Sequence, residues 1–341
     1  MTIYDELPAI YRIKRAQTDV DRIANEFYEA SLDLDPVLAT EHGRTGVETL
    51  FGDYSPAGEE AYAKLVKKTL KKLDKVIPID DTDLVTLDAM QERLTLTRQM
   101  RRAGLGRWQL NNIFSAPQQI RTSFDLMSRE NERDWAHIAG RLANVPGAID
   151  GFIQTLDAAR AEGKVSPRRQ VQIVIEQAEA YIADGGFFDA LAAEITAAAP
   201  AITEQAREGA QAAKDGYRAL ITYLRDTLLP EAPSKDAVGR ELYTLYSRES
   251  LGASIDLDET YAWGVQELER IITEQHTVAS EIEPGASIER AKELLDMDPV
   301  RALHGTEALQ EWMQPHADTA VEALAGTHFD IGGPMLNIEC R

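Results

Sequence analysis

The sequence predicts an all-α protein, a multi-helix array of roughly ten to thirteen helices that closes on a short strand-like segment. Three observations carry this prediction: apolar stripes at helical spacing, serine–proline pairs where helices should begin, and prolines or paired glycines where they should stop. The first stripe is Tyr62, Leu65, Leu70, Leu73 and Val76, opened by Ser55-Pro56 and closed before Pro78. Serine supplies an N-cap hydroxyl, and proline suits the first helical position because its missing N–H has no helical partner there. The second stripe, Val171, Val174, Ala178, Tyr181 and Ile182, is opened by Ser166-Pro167 and stopped at Gly185-Gly186. An alanine-rich run, DALAAEITAAAPAITEQA, has high helix propensity and is interrupted at Pro200. The third stripe is Tyr217, Leu220, Ile221, Leu224 and Leu228, stopped at Pro230. The fourth is Tyr261, Val265, Leu268 and Ile272, stopped at Pro284-Gly285. Each follows the i, i+3, i+4, i+7 rule of a helix that buries one side.

The stretch PEAPSKDAV, 230–238, reads as a linker. The expected organisation is a helical region over 1–229, a second helical layer continuous with it over 235–330, and the start of a β segment over 332–341. In that last segment Leu336, Ile338 and Cys340 alternate with Asn337 and Glu339. A single strand leaves its backbone groups without partners, so the segment raises the expectation that a sheet continues from it.

A chain of 341 residues can hold two domains or one large helical one. Its 57 acidic against 36 basic residues give a formal charge of −21, which argues against nucleic-acid and membrane-surface partners. The one basic cluster, Lys67 to Lys75, reads as a solvated helix face. A lone cysteine, Cys340, excludes an internal disulfide framework and a cysteine zinc site. The N-terminus lacks a secretory pattern and no apolar run approaches the ~20 residues of a membrane helix, so a cytoplasmic protein is expected.

Few residues point to chemistry. None of the six histidines belongs to an H-E-x-x-H pattern, which would aim two imidazoles at one zinc. His304 and Glu307 are spaced for one helix face but more simply serve as surface or capping residues. Asp33 and Asp35, and Asp256 and Asp258, lack the glycine and closing glutamate of a calcium loop and read as helix caps. Cys340 reads as a small apolar residue rather than a nucleophile. No catalytic or metal-ligating residue is assigned. The most suggestive segment is GRELYTLYSRESLG, where Arg240, Tyr243 and Ser247 fall on one helical face as guanidinium, phenol and hydroxyl. Such a face can receive a peptide carboxylate. The plainer alternative packs Leu242, Leu245 and Tyr246 inward and pairs Arg240 with a surface acid.

Three segments together, residues 34–56, 239–271 and 294–331, resemble the N-terminal half of the domain-of-unknown-function 885 family of bacterial proteins. The first is similar to the family's opening through Asp35, Pro36, Ala39, Thr40 and Gly43. The second is similar through Gly239, Tyr243, Asp258, Glu259 and Gly264. The resemblance implies a gluzincin-like zinc metallopeptidase, longer than this chain, whose zinc helix follows a short β-rich segment. On that implication these residues are the helical scaffold and substrate-cleft half of the enzyme, with Arg240, Tyr243 and Ser247 in the cleft wall. Zinc and the catalytic residues would come from a missing C-terminal half, and this chain alone would bind no zinc and hydrolyse no peptide. A truncated fragment, a frameshifted product and a short paralogue all stay open. Half a cleft and an exposed strand edge would favour a homodimer. The rival reading is a stand-alone, non-enzymatic helical binding module.

Overall fold

The computed structural model describes residues 15–340, which form helices throughout, with no strand among the described residues. The chain divides into two compact units, one ending at Ser254 and one beginning at Ile255.

The first unit is built on α1 (Asp19–Leu34), α2 (Pro36–Glu41), α3 (Pro56–Leu73), α4 (Asp81–Arg102), α5 (Ala116–Thr122) and α6 (Glu132–Ala161). It continues through α7 (Arg168–Ile182), α8 (Phe187–Ala198), α9 (Thr203–Tyr223) and α10 (Arg240–Leu251). The central pair is α6 against α9. Along α6, Ile138, Leu142, Val145, Ile149 and Phe152 are fully buried, and α9 meets them with Tyr217 and Leu220. The axes approach closely because α9 carries glycine at the crossing. A Cβ on Gly209 would lie 3.0 Å from the Ala139 carbonyl oxygen, and one on Gly216 would lie 3.1 Å from Pro146 Cα. Pro146 has no N–H to bond within α6, and the glycine opposite leaves room for its ring. Phe188 and Tyr217 pack with ring centroids 5.3 Å apart, and the Tyr217 hydroxyl donates to the Pro117 carbonyl at 2.5 Å. A buried phenol needs such a partner. A smaller core of Ile23, Val66, Leu70, Leu73 and Leu94 joins α1, α3 and α4.

Most expected boundaries hold, with physical exceptions. Ser55 caps α3, its hydroxyl accepting from the Ala57 N–H at 3.2 Å, with Pro56 at the first position. Ser166 does not cap α7. It is buried, and its hydroxyl accepts from the Leu110 N–H at 2.9 Å, so it ties the loop before α5 while Pro167 takes the N-cap position. The third helix runs through a π-helical turn, Leu224–Leu228, and ends at Glu231, one residue past the expected stop at Pro230. One acid of each pair caps: Asp35 accepts from Val37 and Leu38, and Asp256 from Asp258 and Glu259, while Asp33 lies within α1 and Asp258 in the first turn of the helix from Leu257.

The second unit contains α11 (Leu257–Ile282), α12 (Ile288–Met297) and α13 (Thr306–Leu324). The fourth apolar stripe lies on α11 as a helix, but it is not buried: Tyr261, Val265, Leu268 and Ile272 are all exposed. Periodicity therefore located this helix correctly and its burial incorrectly. The strand-like tail is also different from expectation. Gly333–Leu336 is a 3-10 turn, and beyond it side chains of α13 stand in for a partner strand. Gln314 donates to the Ile338 carbonyl at 2.7 Å and accepts from the Cys340 N–H at 2.9 Å, while Gln310 donates to the Cys340 carbonyl at 2.6 Å. Two glutamine amides thus satisfy backbone groups that a sheet would otherwise have to satisfy.

Candidate functional site

Two places in the first unit present polar chemistry on a fixed frame. The first is α10, which carries the residues singled out by sequence. Its buried side is anchored. The Arg248 guanidinium pairs with the Glu92 carboxylate, donating through Nε at 2.7 Å, and donates again to Gln99 Oε1 at 3.3 Å. The hydrogen bond to Glu92 raises the Arg248 pKa and lowers that of Glu92. Arg93 donates to the Glu249 carbonyl at 2.6 Å, and the Gln109 amide bonds the Tyr246 hydroxyl. Leu242, Leu245 and Tyr246 are half-buried, as the plainer reading of this helix has it. On the other side Tyr243 is 56% exposed, Arg240 is exposed and Ser247 is half-buried. The structure therefore holds α10 firmly by one face and exposes the Tyr243 phenol on the other.

The second place was not assigned from the sequence. A cavity of about 280 Å³ is lined by Thr40, Arg44, Glu48, Met127, Arg133 and His137 among others. Thr40 and Gly43 come from the segment through which the chain resembles its family, at the end of α2 and in the turn after it. Arg133 and His137 come from the first turns of α6. Arg141, one turn after His137, is fully buried beside this cavity (0% exposed). Its Nη2 donates to Thr40 Oγ1 at 2.7 Å, while the same hydroxyl donates to the Pro36 carbonyl at 2.8 Å. Its Nε has no hydrogen-bond partner, and it forms no ion pair with any described residue. Burial pushes this guanidinium down to about 10, against the raising influence of Glu48 and other acids nearby. It stays charged at neutral pH. A sequence signal existed: a single arginine stands among Ile138, Ala139, Leu142 and Val145, where a core helix face is otherwise apolar.

The remaining sequence candidates separate. His304 precedes the N-cap Gly305 of α13, so it does not share a helix face with Glu307. Lys72 pairs with Glu26, and its neighbours on α3 face solvent. Cys340 is a free, half-buried thiol. Among the described residues no three His, Cys, Asp or Glu side chains come together as a metal site. A zinc implied by the family resemblance therefore finds no ligand set among the described residues. No helix of the described residues is long and apolar enough to cross a membrane.

A helix anchored along one side on an array of helices places the chain in the all-α class. The chain belongs to the bacterial family of unknown function known as DUF885, whose family model matches residues 36–341. No curated protein matches it. Two solved structures share its fold. One, described as "the putative lipoprotein from Colwellia psychrerythraea", has a TM-score of 0.70 at 15% identity over 94% of this chain. The other, a protein of unknown function from Shewanella oneidensis described in the same terms, has a TM-score of 0.60 at 14% identity over 94% of this chain. The chain spans 61% and 59% of the lengths of these two structures. At such identities the likeness is one of fold.

Proposed function

We propose that this chain is the helical scaffold of a peptidase-type protein and that α10 forms one wall of its peptide-binding cleft. Arg240 would receive a peptide carboxylate and Tyr243 would pack against a peptide side chain, with Ser247 as a further polar contact. The observation that carries this reading is the anchoring of α10. A helix fixed through Arg248, Arg93 and Tyr246 can present Tyr243 and Arg240 with little loss of side-chain and backbone freedom on binding. The resemblance carried by Gly239 and Tyr243 supports it. The catalytic group would lie outside the described residues.

The test is binding of a fluorescein-labelled decapeptide with a free C-terminus to the full chain, followed by anisotropy. Tyr243→Ala and Arg240→Ala should each weaken binding by roughly tenfold, as expected for aromatic and arginine anchors. Unchanged affinity in both variants contradicts the assignment. The second reading, a non-enzymatic binding module, is favoured by the tail, whose backbone is bonded by Gln310 and Gln314 rather than left as a bare strand edge. Peptide binding without zinc-dependent hydrolysis by any longer form of the protein would select that module.

A further inference from the structure

Lysine is gathered along α3. Between residues 64 and 75 it holds six positions, Lys64, Lys67, Lys68, Lys71, Lys72 and Lys75, against one acid, Asp74, in a chain whose acids far outnumber its bases. The spacing is helical, so the six fall on one side of the helix, opposite Val66, Leu70 and Leu73 of the smaller core. All six border one surface groove. Lys72 pairs with Glu26 of α1. The other five are exposed, and their ammonium groups have no ion pair or hydrogen bond among the described residues. Several acids close to this face are already occupied: Glu60 pairs with Arg101, and Asp80 and Asp83 pair with Arg15. Asp74 and Asp81 stay exposed beside it.

The lysine face runs into an apolar turn. Ile77 and Ile79, two and four residues after Lys75, are 80% and 76% exposed, and Leu84 and Val85 at the start of α4 are exposed as well. The turn itself is held in place. Val76 packs on the smaller core, and the Asp83 carboxylate accepts from the Ile79 N–H at 3.0 Å. A fixed turn that shows two isoleucines to water, next to five uncompensated cations, is a surface with a use.

We propose that this face docks on a bilayer surface containing anionic phospholipid, with the lysines among the headgroups and Ile77 and Ile79 at the boundary with the acyl chains. A lysine ammonium is a compact, hydrated charge on a flexible stem, which suits a diffuse layer of headgroup phosphates better than one oriented ligand. Lysine clusters of this size on a helix face attract anionic lipid, and apolar side chains beside them add the insertion that charge alone does not supply. A soluble polyanion would use the lysines and leave Ile77 and Ile79 in water. The net charge of −21 is a sum over the whole surface, whereas salt screens exposed charges beyond about 8 Å, so the lysine face sets the field at the contact. The inference is independent of the peptide wall at α10, which shares no residue with it.

Vesicle flotation with the full chain tests it. Vesicles of phosphatidylcholine mixed with phosphatidylglycerol should carry the protein with them, vesicles of phosphatidylcholine alone should not, and recovery should fall as sodium chloride is raised. The triple variant Lys67→Gln, Lys68→Gln and Lys71→Gln, at exposed positions that leave packing untouched, should weaken vesicle binding by roughly tenfold or more. The double variant Ile77→Ser and Ile79→Ser should weaken it by about fivefold and leave the salt dependence in place. Circular dichroism confirms that both variants remain folded. The proposal is overturned if anionic vesicles carry no more protein than neutral ones, or if the folded lysine variant binds as the wild type does. It is overturned equally if the isoleucine variant binds unchanged, or if an oligothymidylate strand binds more tightly than the anionic vesicles, since either result marks a soluble polyanion as the partner.

Discussion

The two units of this chain are built from similar helices and hold them in different ways. In the first, α6 and α9 bury a continuous core in which Leu142, Phe152, Tyr217 and Leu220 lose all solvent contact. In the second, the buried side chains among the described residues are Ala279 and Ala291, while Trp263 on α11 is 62% exposed and Tyr261 76% exposed. An amphipathic pattern is thus sufficient to place a helix and insufficient to bury it. Burial needs a second surface of matching shape, and α9 supplies one to α6 through glycines at the crossing. Apolar side chains at ~25 cal/mol per Å² stabilise only the contact they make.

The largest expected effect breaks this contrast most simply. Phe152→Ala should cost ~3–5 kcal/mol in urea unfolding followed by circular dichroism, as buried phenylalanines do. Leu268→Ala, on the exposed stripe of α11, should stay within ~0.5 kcal/mol. Equal costs would mean that the second unit buries its stripe. Next is the crossing itself. Gly209→Val drives a branched side chain into the Ala139 carbonyl and Leu142, and should cost ~1–3 kcal/mol in the same measurement.

A smaller effect belongs to the anchor of α10. Arg248→Ala removes the pair with Glu92, partly exposed on both sides, and should cost no more than ~1 kcal/mol globally. Amide exchange in α10 should nonetheless rise, because local opening loses its main restraint. An acid-side effect follows from Asp83. Burial raises its pKa, but hydrogen bonds from the Thr18 hydroxyl, the Ile79 N–H and Arg15 outweigh burial and hold it below the usual carboxylate range. Its stabilisation is therefore present above the unfolded value near ~4 and lost as pH falls through the lower folded value. Asp83→Asn should flatten the acid end of a stability-versus-pH curve and leave its slope above pH ~5 unchanged. The smallest effect is at the tail, where Gln314→Ala should speed exchange of the Cys340 amide without a measurable change in global stability.

Helices were legible because stripe, cap and stop agree at the same places. Pro56 after Ser55 shows a start, and Gly185 with φ +71° shows an end that an L side chain would strain. The errors were of one kind. Ser166 and the tail each carry a local pattern whose meaning depends on residues distant in sequence, Leu110 and Gln314, and the α11 stripe meets no burying surface among the described residues. Of the candidate sites, the shared helical face of Arg240, Tyr243 and Ser247 could be read from their spacing. The cavity could not, because it joins α2 to α6 across about a hundred residues, and only the resemblance to the family had singled out two of its members, Thr40 and Gly43. Separation in sequence hides such a site, since no periodicity links its halves.

The most direct measurement is photo-crosslinking on the full chain with benzoylphenylalanine at position 243, compared with the same probe at position 62, a half-exposed tyrosine on α3. Incubated with a labelled decapeptide, the probe at 243 is expected to capture peptide in a manner that excess unlabelled peptide abolishes, and the probe at 62 is not. Equal capture at both positions, or none at 243, would contradict the assignment of α10 as the peptide-facing wall.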